Sequence, residues 1–150
     1  MSQLGEAYHR GDFVKKNNEL AKYWYFKAGE GGSTRSLYYL AMVYKQEKDY
    51  ARAILAVKPA AEKKYLPALN MLANMLYKGK GTDEDRGGAI SLWEEAVKRG
   101  HVYAKRNLGH RLIGGYAGLR GVPRGLALTV AASVDAWKIA LKDRSSDLLR

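Results

Sequence analysis

The stretch "ALNMLANMLYKGKGTDEDRGGAISLWEEAVKRG" spans Ala68 to Gly100. Its first third sets Ala68, Leu72 and Leu76 at steps of four, and its last third sets Ala89, Trp93 and Ala96 at steps of four and three. Residues three and four apart share one face of an α-helix, so both thirds read as helices with one buried side. Between them lies "YKGKGTDED", with glycines at Gly79 and Gly81, Lys80, and acids at Asp83, Glu84 and Asp85. Taken alone that middle resembles a phosphate or metal loop. Whether it binds anything or only turns the chain is decided by the surrounding sequence.

The surrounding sequence repeats it. "LGEAY" at Leu4, "LAMVY" at Leu40, "LANML" at Leu72 and "LGHRL" at Leu108 are spaced by 36, 32 and 36 residues. Each Leu is followed by a small residue (Gly5, Ala41, Ala73, Gly109) and, four on, by a large one (Tyr8, Tyr44, Leu76, Leu112). Four residues before it stands Ser36, Ala68 or Ala104. Small residues at a fixed place on a helix face let a neighbouring helix come close. A second block keeps the same register: Ala21, Tyr25, Ala28 and Gly32; Ala53, Val57, Ala60 and Lys64; Ala89, Trp93, Ala96 and Gly100. The second unit is four residues shorter because "YKQEKDY" replaces the glycine loop. A period in the thirties with helical patterning predicts stacked helix–turn–helix units. The expected fold is all-α, a right-handed α/α superhelical solenoid forming one domain over 1–150. Its units lie near 1–35, 36–67, 68–103 and 104–142, the last being a divergent cap.

These residues also resemble a known family. A small residue, Leu-Gly, a following Tyr, a Gly-x-Gly loop, an Asp, then Ala, an aromatic pair, Lys-Ala and Gly recur in "LGEAYHRG…LAKYWYFKAGEGG" from Leu4 and in the stretch from Ala68. The chain is similar to the Sel1-like repeat, a relative of the tetratricopeptide repeat. The pattern weakens in the second unit and after Gly114, where "GGYAGLRGVPRG" enlarges a loop. The resemblance implies a protein-binding scaffold of the adaptor kind, many of them bacterial and active in secretion, envelope assembly and host contact. Some such proteins are immunity proteins that neutralise a secreted toxin. The family carries no catalytic residues, so the resemblance implies no enzyme and no cofactor.

Composition narrows the remaining choices. There are 150 residues, 47% hydrophobic and 27% charged, enough for a real core. With no cysteine, disulfides, thiolate metal sites and cysteine nucleophiles are excluded. The longest apolar run, "GLALTVAASVDAWKIAL", is cut by Asp135 and Lys138, so no membrane span is expected. The net charge of +11 favours an anionic partner. The basic residues are spread in runs no longer than two, a pattern of solubility more than of a nucleic-acid footprint. A first helix would have begun four or more residues before Leu4, so an upstream leader or repeat is expected. A leader would send the protein to the bacterial periplasm.

Candidate chemistry fails on spacing. A P-loop needs a preceding strand and Gly-Lys followed by Ser or Thr, whereas here Thr82 follows Gly81. Asp83, Asp85, Gly88 and Glu94 match four EF-hand places. A calcium loop would, however, unwind the helix that keeps Ala89, Trp93 and Ala96 on one face. The glycines instead suit positive φ after a helix, and Asp83 or Asp85 suits an N-cap. His9, His101 and His110 share no metal-ligand spacing, so no metal is expected. Adjacent Glu94 and Glu95 point to different faces and make no acid/base pair. Trp24 and Tyr25 fall on packing positions. Pro67 fits a first turn, and Pro59 is expected to kink or end its helix near Leu55–Lys58.

The partner-binding face is read from positions −2, −1, +2 and +3 around each key Leu. It comprises Tyr38, Tyr39, Met42 and Val43; Asn70, Met71, Asn74 and Met75; and Arg106, Asn107, His110 and Arg111. Aromatic, sulfur and arginine side chains are common at binding centres. Asn70 and Asn74 are spaced to hold an extended backbone. The expected partner is a protein, through an acidic surface or an extended peptide, in a concave groove. No small-molecule substrate is expected.

Overall fold

The computed structural model describes residues 1–115 and 118–147. Among these described residues, eight α-helices follow one another: α1 Ser2–Arg10, α2 Asn18–Glu30, α3 Thr34–Gln46, α4 Tyr50–Glu62, α5 Leu66–Tyr77, α6 Arg86–Lys98, α7 Val102–Ile113 and α8 Val122–Asp147. A short 3-10 turn, Leu119–Gly121, precedes α8, and no strand occurs among the described residues. The helices alternate as first and second members of hairpins, as the register requires. The chain divides into two compact units, Met1–Ala89 and Ile90–Arg150.

In the first unit, α1 packs on α2, α2 on α3, α3 on α4 and α4 on α5; in the second, α7 packs on α8. The register positions form the core. Ala21, Tyr25 and Ala28, Ala53, Val57 and Ala60, and Ala89, Trp93 and Ala96 are all buried, as are Leu40, Leu72 and Leu108. Leu4 differs, at 44% exposure, on α1, the first described helix, whose main packing partner is α2. The small residues are there for contact. A Cβ on Gly5 would stand 2.6 Å from Cδ1 of Tyr25, and a Cβ on Gly109 would stand 2.8 Å from the carbonyl oxygen of Gly125 on α8.

Helices α2, α3, α4, α6 and α7 are each started by a side chain that satisfies free helix N–H groups, whereas α1 and α5 have no side-chain cap. The Asn17 side chain accepts from Glu19 N and Leu20 N at 3.0 and 3.1 Å, Ser33 from Ser36 N at 3.2 Å, and Asp49 from Arg52 N at 3.0 Å. Asp85 accepts from Gly88 N at 2.8 Å, and Nδ1 of His101 from Ala104 N at 3.1 Å. The cap of α6 is therefore Asp85, one of the two expected, and Pro67 occupies the first turn of α5.

Two expectations are corrected. Helix α4 does not end at Leu55–Lys58 but continues through Pro59 to Glu62. Pro59 removes only the bond to the Leu55 carbonyl, and Leu55 is 71% exposed, so water can take that carbonyl. The last helix begins at Val122, inside the stretch expected as an enlarged loop, and its Trp137 is 64% exposed.

Candidate functional site

The expected face resolves into two rows. Positions −1 and +3 lie one turn apart on the same line of a helix, and −2 and +2 form a second line beside it. The −1/+3 row turns inward. Val43 is fully buried, and Met71 and Met75 are 6% and 3% exposed. Met71 and Met75 are therefore core residues and not part of an open surface: their thioethers fill space between packed helices. Tyr39 is half-buried and stacks on Tyr25 with ring centroids 5.6 Å apart.

The −2/+2 row stays open. Tyr38, Met42, Asn70 and Asn74 are half-buried, and Arg106 and His110 are exposed. Tyr38 meets Tyr39 at 5.6 Å and the ring of Tyr65, the residue preceding α5, edge-on at 5.8 Å. The guanidinium of Arg35 lies 5.4 Å over the Tyr39 ring and donates to its hydroxyl at 3.2 Å. Three half-buried tyrosines, Tyr38, Tyr39 and Tyr65, and the exposed Arg35 thus form a continuous patch where α3 meets the start of α5, over the buried Tyr25. The position-counting missed Arg35 and Tyr65. Arg35 stands one turn before Tyr39, and Tyr65 two residues before Pro67, and those spacings were the available signals.

The asparagines are not free grips. Nδ2 of Asn74 donates to the Asn70 carbonyl at 2.7 Å and reaches its side-chain oxygen at 3.4 Å. On α7, Arg106 lies 5.4 Å over the Tyr103 ring, while Asn107 and Arg111 are half-buried. Arg106 and His110 line a cavity of about 350 Å³ between α7 and α8.

Electrostatics follow burial. Desolvation, then the Glu6 carboxylate and Tyr39, push the Tyr25 hydroxyl up to about 12. Tyr65 is raised by burial and by Tyr39. The Arg35 cation is strengthened by its bond to Tyr39. All three shifts move the group further from neutral pH. The glycine loop is equally committed: Gly79 and Gly81 have φ of 58° and 80°, and Asp85 is spent as the α6 cap.

A family model for the Sel1 repeat matches residues 1–33 and 66–101, the two stretches with the fullest loop and aromatic pattern. The chain carries Sel1 repeats over both stretches. As a Sel1-repeat solenoid it has a fold that typically serves protein–protein interaction and is typically non-catalytic. An F-box protein of Arabidopsis thaliana is 34% identical over 116 residues, covering 74% of this chain and 34% of the relative. A protective antigen present in uropathogenic Escherichia coli strains, whose solved structure has the Sel1-repeat fold, superposes with a TM-score of 0.80 at 26% identity, over 89% of this chain and 30% of that one. A Sel1 repeat protein from Oxalobacter formigenes gives 0.79 at 24% identity, over 88% and 56%, and shares the fold. The chain spans about a third of the first two proteins and about half of the third. No helix among the described residues is long and apolar enough to cross a membrane.

Proposed function

We propose that this Sel1-repeat chain is a non-catalytic module that binds a protein partner on the α3–α5 face, through Tyr38, Tyr39, Met42, Asn70 and Asn74 with Arg35 and Tyr65. The observation that carries the reading is the tyrosine–arginine patch. Tyrosine and arginine anchor binding centres because they bury large area at small entropic cost. Packing among the rings holds them in place before a partner arrives, which lowers the ordering cost of binding. The partner is an acidic protein surface more than a free peptide strand. Arg35 and the net charge of +11 attract carboxylates, whereas the Asn74 amide is already engaged within its own helix.

The test is affinity capture from the source organism's lysate with immobilised wild type, Arg35→Glu and Tyr38→Ala. One partner should be retained by wild type and weakened at least about 30-fold, roughly 2 kcal/mol, in the variants, whose helical circular dichroism stays unchanged. Equal retention by all three would remove this face from the function. The charge also supports a narrower form, an immunity protein that neutralises an acidic secreted toxin, since complementary charge speeds association. In that form, deleting the gene poisons the cell only when the toxin is made.

A further inference from the structure

We propose that the groove between α7 and α8 is a helix slot that takes an acidic amphipathic α-helix from a partner protein, a site separate from the α3–α5 face. The first unit shows what such a groove holds. The groove of the α1/α2 hairpin is covered by α3. Ser2 Oγ lies 2.8 Å from Ser36 Oγ, and Tyr39 stacks on Tyr25. A Cβ on Gly29 would stand 2.4 Å from a Leu37 methyl. Helix α3 therefore rests on register positions −2 of the first helix and +21 and +25 of the second. Carried to α7 and α8, those positions are Arg106, Thr129 and Ser133, and all three line the 350 Å³ cavity. Its remaining wall on α8 includes Ala132 and Ala136. Small residues at the places where α3 meets α2 leave room for a helix backbone rather than for a loose side chain. Among the described residues, no helix lies in this groove.

The rim states the chemistry of the occupant. Tyr103 and Ile139 are exposed apolar residues lining the slot, so the incoming helix must bring an apolar stripe. Arg106 and His110 stand on its α7 edge, so the flank beside that stripe should be acidic. A second copy of this chain offers α1, whose Met1 and Leu4 are exposed, but each copy carries +11 and repels the other.

The probe is a capped 13-residue peptide with the α3 sequence Thr34–Gln46 carrying Arg35→Glu and Lys45→Glu; the unaltered, basic peptide is the control. Binding to the full chain is read by calorimetry and by NMR shifts. The acidic peptide should bind and shift α7 and α8 resonances. Arg106→Glu should weaken it roughly fivefold and strengthen the basic peptide. Ala136→Trp, at an exposed wall position, should abolish binding while helical content is kept. Tyr38→Ala should leave the peptide unaffected, which separates this site from the α3–α5 face. No binding up to about 1 mM peptide, equal binding of both peptides, or shifts confined to the first unit would overturn the proposal. So would a concentration-dependent dimer, by light scattering, that Ala136→Trp abolishes, because the occupant would then be a second copy.

Discussion

Single residues carry the register, and one of them departs from it. Gly32 and Gly100 close their hairpins at φ of 91° and 84°; at the matching place in the second unit stands Lys64, at φ of 60°. A side chain with a Cβ pays roughly 1–2 kcal/mol in that left-handed conformation, and glycine gives back part of the gain through its freer unfolded chain. Lys64→Gly should therefore stabilise the protein by about 0.5–1 kcal/mol, read as a raised urea midpoint at constant slope. His101 makes a different departure, since a neutral imidazole caps α7 where other helices use Asn, Ser or Asp. Burial lowers its pKa from the usual 6.5, and burial together with Lys16 and Arg10 does the same to His9. A depressed histidine contributes stability that is complete above pH 6.5 and falls as the pH drops below it, because the unfolded chain takes up the proton first. The urea midpoint should decline from pH 7 to 5. His101→Asn keeps an acceptor without a proton to gain and should flatten that decline. An unchanged slope would show that the cap does not titrate.

The hairpins were legible because close helix contact restricts residue size wherever it occurs. Gly5 against Tyr25 and Gly109 against Gly125 leave no room for a Cβ, so the small residues recur and the period can be counted. The proposed binding face was half legible. Counting positions identifies the side of α3 and α5 away from their own hairpin partners. It cannot tell that the row of Met71 and Met75 is covered while the row of Asn70 and Asn74 stays open, because a stacked first helix is flanked on both sides. Methionine fits either role. The glycine loop shows the same limit. Its sequence foretold a turn, and in the fold it also straps the preceding hairpin. Lys80 Nζ reaches the Tyr50 hydroxyl at 3.4 Å and lies 4.8 Å from its ring, while Gly81 sits against the start of α4. A Cβ there would stand 2.4 Å from the Tyr50 carbonyl carbon, on a backbone already at φ of 80°. Gly81→Ala should cost about 2 kcal/mol or more by urea denaturation. The α3–α4 turn, with no such loop, should tolerate Gln46→Ala within about 0.5 kcal/mol.

At the scale of the whole molecule, a net charge of +11 sets the response to salt. Two electrostatic terms compete in a folded chain of this composition. Local ion pairs hold it together, and the excess of like charge pushes it apart. Most of the ion pairs here are exposed helix-surface pairs such as Arg10–Glu6, Lys27–Glu30 and Arg99–Glu95. Pairs of that kind contribute little, so screening them removes little. Two are better sheltered: Lys22 with Glu47 at 2.9 Å, joining α2 to the end of α3, and Lys105 with Asp135 at 2.5 Å, joining α7 to α8. Partial burial screens these two less, so they should survive moderate salt. Repulsion among the spread surface cations acts over longer distances, and a Debye length near 10 Å at about 0.1 M salt cuts it first. The balance favours screening. Raising sodium chloride from about 10 to 150 mM should raise the thermal midpoint by a few degrees, since about 1 kcal/mol moves a domain of this size by roughly 2–4 °C. A midpoint that falls over that range would mean that the ion pairs weakened by screening outweigh the relief of the net charge.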